Sequence, residues 1–328
     1  MHMRPVTDMA STAVVEPHIT PRPSVAPPCC EACRTLLQSR AIGAGFVLLQ
    51  CPTCGHVVRD LRLSGGAARA HAWGGQQTMD RLRLALTWRR LARELERVYP
   101  GATHERRRCP PLDVLEIGYG AGRTLRRLAR LGHHVSGVEW HLLRHGKTDA
   151  EASTKMQPLS GAVLYDGAAE EVDLPRRAYD LVIAVHVVEH LADPTLVFGK
   201  IAASLKRGGL FYCMTPNAES YGLTLFGQYW WNLEDPTHYR FFSQRSLAAM
   251  LRAAGFATVQ TGVVVEDSVT IEANSLLRAL LHGDRVHGIL HRRGATLASV
   301  ALTPFSLAAR CLLPRLSPSI EGVAVMPW

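Results

Sequence analysis

Short apolar runs alternate along the middle of the chain with stretches in which apolar residues recur every three to five positions. Val114-Leu115-Glu116-Ile117, His134-Val135-Ser136-Gly137-Val138, Val163-Leu164-Tyr165, Tyr179-Asp180-Leu181-Val182-Ile183-Ala184-Val185 and Leu210-Phe211-Tyr212-Cys213-Met214 read as strands. Continuous apolar strands suit a parallel sheet covered on both faces, and the segments between them supply the helices. Upstream, Met79, Leu82, Leu86, Leu91, Leu95 and Val98 predict a helix over 76–98 with one packed face. Downstream, a helix passes through Leu247 and Leu251 to Gly255-Phe256, and a strand follows over 257–265. Residues 271–290 read as helical through Leu276, Leu277, Leu280, Leu281 and Leu290. Residues 295–309 carry no charge, are interrupted by Pro304, and are too short to span a bilayer. Their basic flanks, Arg292, Arg293 and Arg310, leave peripheral membrane contact open. Gly322-Val323-Ala324-Val325-Met326 then reads as a last strand, antiparallel beside 257–265, which makes 266–318 an insertion.

One strand carries more information than the rest, because Val114-Leu115-Glu116-Ile117 runs straight into Gly118-Tyr119-Gly120-Ala121-Gly122 and a helix follows. Such a turn lets bare backbone approach a ligand, with helix N-terminal amides as a partly positive rim. About twenty residues on, the next strand ends on Glu139, where a carboxylate can accept both hydroxyls of a ribose. The glycines are spaced G-x-G-x-G behind an acid, not G-x-G-x-x-G, which points away from a nicotinamide cofactor.

These segments together resemble the class I S-adenosylmethionine-dependent methyltransferases, with Glu116 to Gly122 as the first motif. Further matches are Glu139, Tyr179-Asp180-Leu181-Val182, Glu189-His190-Leu191-Ala192-Asp193-Pro194 and Leu205-Lys206-Arg207-Gly208-Gly209, so the resemblance spans about 109–265. It implies a doubly wound, mostly parallel seven-stranded α/β sheet with an antiparallel last strand, and S-adenosyl-L-methionine as cofactor. It also implies cofactor contacts from Glu116, Gly118, Tyr119, Gly120, Gly122, Glu139, Trp140, Ala168, Ala169 and His186. At one position the chain departs from the family: relatives often place an Asp for the adenine amino group where Ala168 stands, and Asp166 lies on the other side of Gly167. Backbone alone, or Asp166 after a local shift, then holds the adenine.

Ahead of this domain, Cys30-Glu31-Ala32-Cys33 and Cys51-Pro52-Thr53-Cys54 are separated by seventeen residues. Two C-x-x-C knuckles at that separation are a strong zinc signature, and four thiolates close a tetrahedral, structural shell. Cys29 and His56 are alternative ligands that the paired spacing disfavours. Disulfides are the competing reading, set aside because no signal peptide opens the chain, and a cytoplasmic location is expected for the same reason. The expected organisation is a disordered, proline-containing tail over 1–28, a zinc ribbon over 29–60, a helical connector over 61–108 and the methyltransferase domain over 109–328.

Composition fits a folded enzyme, with 328 residues, 47% hydrophobic and 20% charged. The net charge of +9 and Arg106-Arg107-Arg108 raise nucleic acid as a partner. Arginines are scattered through every region, however, and no basic stripe studded with aromatics is present, so nucleic acid is disfavoured. The segment Thr215-Pro216-Asn217 and the run from Tyr229-Trp230-Trp231 through Pro236-Thr237-His238-Tyr239 to Phe242-Ser243 tip the balance toward a small molecule. They look like a bacterial methyltransferase group acting on surface sugars and secondary metabolites, often with a zinc ribbon; the departures are Thr237 and Tyr239.

Methyl transfer needs alignment, a dry pocket and, for a hydroxyl acceptor, a base. His238 is the first candidate for that base and His186 the second, with Tyr229, Trp230, Trp231 and Tyr239 walling the acceptor pocket. The expected function is methyl transfer to a sugar or secondary metabolite, O-methylation ahead of N- or C-methylation. A ribosomal RNA base methyltransferase and a non-catalytic cofactor-binding or docking protein are the alternatives. Oligomeric state is not legible.

Overall fold

The computed structural model describes residues 28–43, 46–59, 77–104, 109–140, 161–235, 237–281 and 293–328. The expected tail up to residue 27, the first part of the connector and Arg106-Arg107-Arg108 lie outside the described residues.

Between and after the cysteine knuckles, β1 (Gln38–Gly43), β2 (Phe46–Gln50) and β3 (Val57–Arg59) pair as an antiparallel meander. The predicted connector helix is α1 (Gln77–Val98), which buries Leu91 and Leu95 and leads into the main sheet. That sheet is entered through β4 (Asp113–Ile117), α2 (Arg123–Arg130), β5 (His134–Glu139), β6 (Val163–Asp166) and β7 (Tyr179–Val185). Next come α3 (Pro194–Ser204), β8 (Leu205–Pro216) and α4 (Tyr221–Phe226). After an aromatic loop the chain makes β9 (Arg240–Phe241), α5 (Gln244–Ala253) and β10 (Thr258–Val264). Finally α6 (Ile271–Leu281) and α7 (Arg293–Leu312) precede β11 (Ser319–Val325).

The large sheet has seven strands in the order β10-β11-β8-β7-β4-β5-β6. Its β4 to β8 pairs are parallel, and β11 is wedged antiparallel between β10 and β8. Alternation along each strand feeds two cores. Leu181, Ile183, Leu210 and Tyr212 face α1 and α2 through Leu91, Leu95, Leu125 and Leu128. Val182, Ala184, Phe211 and Cys213 face α3 and α5 through Phe198, Ile201, Leu247 and Leu251. Both faces of these strands are therefore covered, which is why the sequence shows unbroken apolar runs there. This is the expected seven-stranded sheet, with α6 and α7 as the insertion before its antiparallel strand.

Three details differ from the sequence expectation. First, β8 begins at Leu205, not Leu210: the Lys206-Arg207-Gly208-Gly209 segment that reads as a turn is a bulge, with Tyr179 opposite Leu205 and Leu181 opposite Leu210. It aims the Lys206 ammonium at Asp113 (2.7 Å) and Asp180 (2.8 Å). Second, α7 continues through Pro304, at the cost of one backbone donor. Third, Arg310 is not a solvent-facing basic flank: it is fully buried, donating to Glu272 and to the carbonyls of Val265 and Asp267. Among the described residues, no helix is long and apolar enough to cross a membrane.

Candidate functional site

The carboxyl ends of β4, β5, β6 and β7 lie side by side, because Ile117 pairs with Val138 and Ala184, and Glu139 with Asp166. That edge collects the cofactor candidates: Gly118, Tyr119, Gly120 and Gly122 after β4, Glu139-Trp140 at the end of β5, Ala168-Ala169 after β6 and His186 after β7. Gly118 and Gly120 take φ of 70° and 49°, where a side chain is strained. A Cβ on Gly118 would stand 2.4 Å from Val187 Cγ2, whereas a Cβ on Gly120 would meet nothing within 4 Å among the described residues. Gly118 is thus fixed by packing, and Gly120 faces open space. The Gly120 amide donates to Glu139 Oε2 at 2.7 Å, which draws the strand-end acid over the turn.

Beneath the turn, Glu116 Oε2 and the Tyr119 hydroxyl are buried with no hydrogen-bond partner among the described residues. Burial pushes the Glu116 carboxyl up to about 8, against hydrogen bonds from Thr124 and the Leu125 amide, with Glu139 adding repulsion. An unpartnered carboxyl and phenol below the glycine turn fit a ligand that brings positive charge and polar hydrogens, as the sulfonium and ammonium of S-adenosylmethionine do, and a cation there would draw the carboxyl back toward its ionised, accepting form.

Beside this edge, past β7, lies a second constellation. His186, at the left-handed φ of 54°, is engaged at both ring nitrogens: Nδ1 with Glu189 Oε1 (3.3 Å) and Nε2 with Asp267 Oδ2 (2.9 Å). Burial opposes its charge, but Asp267 and Glu189 outweigh burial and raise it to about 9. With a carboxylate at each ring nitrogen, the charged imidazolium is the form this setting favours, which leaves His186 poorly placed for the role of base. Glu189 is fully buried; burial raises its carboxyl, yet His186, His190 and His238 together hold it down at about 2. Its Oε2 accepts from Thr215 Oγ1 at 3.0 Å, where β8 ends.

Glu189, His190 and His238 each bring one carboxylate oxygen or ring nitrogen to within 4.8 Å of the others, although His238 stands 48 residues beyond His190. The His190 Nδ1 meets the Thr237 carbonyl at 3.0 Å, and the His238 Nδ1 meets the Asn232 carbonyl at 2.7 Å. A carbonyl only accepts, so each Nδ1 carries the hydrogen and, in the neutral ring, Nε2 carries the lone pair. Burial lowers the His238 pKa, with Glu189 and Asp235 opposing. Its Nε2 lies 3.9 Å from Asp235 Oδ2, a carboxylate whose other oxygen accepts from the Thr237 amide and hydroxyl, which favour its ionised form against its own burial.

The aromatic residues divide. Trp230 is wholly buried among Leu48, Val57, Leu223, Leu233 and Phe241, so its indole has no face left for a ligand. Its expected role as a pocket wall gives way to holding the loop together. Trp231 is also buried, with its amide bonded to Ser275 Oγ at 2.9 Å, while Tyr229 and Tyr239 keep partial exposure. Sequence reasoning missed Asp267 and Asp235 as partners of the histidines. Asp235 stood in the quoted loop, but Asp267 lies 81 residues from His186 and carried no signal.

The four candidate zinc ligands come together as well. One sulfur each from Cys30, Cys33, Cys51 and Cys54 lies within 4.8 Å of the others, three of the four residues being buried. Cys30 Sγ is 3.5 Å from Cys54 Sγ, and Cys33 Sγ is 3.4 Å from Cys51 Sγ. Cys29 is exposed and outside the cluster, and His56 is turned to Ser246 Oγ. Four converging thiols with no hard oxygen donor among them fit a structural zinc ion.

The seven-stranded sheet, with β11 antiparallel inside it and a glycine turn after β4, is the class I methyltransferase fold. The sequence profile of a family described as "Methyltransferase domain" matches residues 82–261, and the chain belongs to that family. Among curated proteins it is 32% identical over 156 residues to a ubiquinone biosynthesis O-methyltransferase of Paramagnetospirillum magneticum, covering 45% of this chain and 61% of that protein. The same named enzyme of Bradyrhizobium sp. is 36% identical over 121 residues, covering 35% and 45%. The chain thus spans about half the length of these relatives. Among solved structures, phosphoethanolamine N-methyltransferase 2 of Haemonchus contortus, with S-adenosyl-L-methionine, has a TM-score of 0.48 at 17% identity, covering 74% of this chain and 53% of that one. An S-adenosylmethionine-dependent methyltransferase of Mesorhizobium loti has a TM-score of 0.48 at 14% identity, covering 73% and 97%.

Proposed function

We propose that this enzyme methylates a hydroxyl oxygen of a small-molecule acceptor, with His238 as the proton acceptor. The observation that carries the reading is the convergence of Glu189, His190 and His238 beside the edge that collects the glycine turn. S-Adenosylmethionine, when bound, supplies a methyl group on a sulfonium leaving group. Glu116, Gly118, Tyr119, Gly120, Gly122, Glu139, Trp140, Ala168 and Ala169 would hold it, and His186 would brace the turn after β7 by tying Glu189 to Asp267.

The acceptor hydroxyl must lose its proton as its oxygen forms the new bond to carbon. His238, neutral by burial and with its Nδ1–H fixed on Asn232, takes that proton at Nε2. Asp235 then faces the imidazolium that results. His190, fixed in the same way by Thr237, and ionised Glu189 orient the hydroxyl, and much of the acceleration comes from that alignment. The name O-methyltransferase on the curated relatives agrees with an oxygen acceptor. The ribbon cysteines Cys30, Cys33, Cys51 and Cys54 hold zinc as a structural ion.

Isothermal titration with S-adenosylmethionine, S-adenosylhomocysteine and NADH, followed by turnover of His238→Gln on a panel of phenols, sugars and amines, tests this reading. Binding of the two sulfur nucleotides alone, and loss of turnover in His238→Gln with cofactor affinity kept, is the expected result. Methylation of amines in preference to hydroxyls, or unchanged turnover of the variant, overturns it.

A further inference from the structure

The cysteine ribbon is joined to the acceptor side by more than a covalent link. Its sheet has a fourth strand, β9, taken from the aromatic loop: Val57 pairs with Phe241 and Val58 with Arg240. A ribbon built as an independent docking module would keep that edge for its partner; here the edge is closed from within.

Two arginines cross this junction in opposite directions. Arg59, the last residue of β3, is 6% exposed, and its guanidinium enters the loop. Its Nε donates to the His238 carbonyl at 3.2 Å, and its Nη2 to the carbonyls of Leu233 (3.1 Å) and Asp235 (3.0 Å). Its own amide donates to the Tyr239 carbonyl at 2.9 Å. Every carbonyl so held belongs to the stretch that carries His238 and Asp235. From the other side, Arg240 of β9 forks onto Glu31, the residue between Cys30 and Ala32 in the first knuckle, at 2.7 and 2.6 Å. The same guanidinium donates to the carbonyls of Leu191 and Ala192, directly after Glu189-His190. Ser243 Oγ adds a bond to the Cys54 carbonyl on the second knuckle.

A buried guanidinium is costly unless its donors are satisfied, and its planar fork fixes several acceptors at once. Arg59 spends that geometry on loop carbonyls, and Arg240 divides it between the Glu31 carboxylate and the carbonyls of Leu191 and Ala192. We propose that the cysteine ribbon is the positioning scaffold of the proton-accepting site, with Arg59 and Arg240 as positioning residues that hold the His238 loop and the Glu189-His190 turn in register. This rests on the reading of His238 as proton acceptor. Order in the ribbon and order in the acceptor loop are then one equilibrium, and the coupling is reciprocal.

The test uses the full zinc-loaded chain and three variants, Arg59→Met, Arg240→Gln and Glu31→Gln, so that one misfolding protein does not decide it. The readouts are hydrogen exchange by mass spectrometry, titration with S-adenosylmethionine, and the downfield imidazole N–H proton resonance of His238 on Asn232. Affinity for S-adenosylmethionine should stay within about twofold, because β4 to β6 are untouched. Amides over 187–192 and 231–241 should exchange about tenfold faster or more, the His238 resonance should broaden or vanish, and a chelator should strip zinc faster. Unchanged exchange in all the folded variants overturns the proposal, as does faster exchange with the His238 resonance intact. Failure of the wild-type protein to bind S-adenosylmethionine would instead count against the cofactor assignment, leaving the ribbon coupling to be judged by exchange and zinc release.

Discussion

Two alanine substitutions in the glycine turn, two positions apart, separate packing from ligand contact. Gly118→Ala puts a methyl group at φ 70°, 2.4 Å from Val187 Cγ2. The left-handed backbone costs about 1–2 kcal/mol and the overpacking about 1–3 kcal/mol more, so roughly 2–5 kcal/mol of stability is lost. Gly120→Ala meets nothing within 4 Å among the described residues, so its φ of 49° leaves only the backbone cost, about 1–2 kcal/mol. At about 2–4 °C per kcal/mol for a chain of this size class, Gly120→Ala should melt a few degrees lower than wild type and Gly118→Ala clearly lower still. Cofactor affinity should be hit the other way in relative terms. The added methyl of Gly120→Ala occupies the space over the turn, and a loss of about 1.4 kcal/mol or more is tenfold or more in dissociation constant. Thermal melts by circular dichroism, with and without saturating S-adenosylhomocysteine, and isothermal titration read both quantities. Gly120→Ala binding with wild-type affinity would falsify the placement of the cofactor against that backbone. Equal destabilisation by the two alanines would mean that Val187 does not fix the turn.

The histidines make a prediction of opposite signs. His186 is raised to about 9, so the stability it gains from Asp267 and Glu189 is complete below its unfolded pKa of about 6.5 and is lost as pH rises through about 9. Up to about 3 kcal/mol should vanish across that window in urea titrations, and His186→Gln should flatten the dependence. His238 is lowered, so turnover should fall off on the acid side only below pH 6.5; an acid limb above 6.5 refutes it as the base. For the ribbon, metal analysis of purified protein should find one zinc per chain, and Cys51→Ser should lose it together with the protection of β1 to β3 and of β9. Full protection in metal-free protein would show that the four thiols need no ion.

What could be read from the sequence follows from how much pattern each element displays. Buried parallel strands such as Tyr179–Val185 announce themselves, because both faces must be apolar, and the spacing of the paired knuckles marks the four cysteines whose sulfurs the fold brings together. β9 was invisible: its residues, Arg240 and Phe241, are too few for any alternation, and its partner lies about 180 residues upstream. The bulge in β8 read as a turn because its two glycines carry the same local signal in both settings. Trp230 illustrates a limit of composition, since an indole in a polar loop looks the same whether it lines a pocket or fills a core. His186 was singled out correctly as a residue at the strand end, but its protonation depends on Asp267 across the sheet edge, a contact only the fold creates.

The position of β11 has a consequence for how the enzyme is made. It sits inside the sheet, with β10 on one side and β8 on the other, yet it follows the whole of the 266–318 insertion in sequence. Until it has been synthesised, β8 and β10 expose unpaired inner edges, and at about 5–20 residues per second that interval lasts on the order of several seconds after β8 emerges. The nascent chain therefore passes through a stage in which its longest described strand, Leu205–Pro216, is open to pairing with another copy. Overexpression yield should then depend more on the speed of translation through 266–325 than on any property of the finished protein.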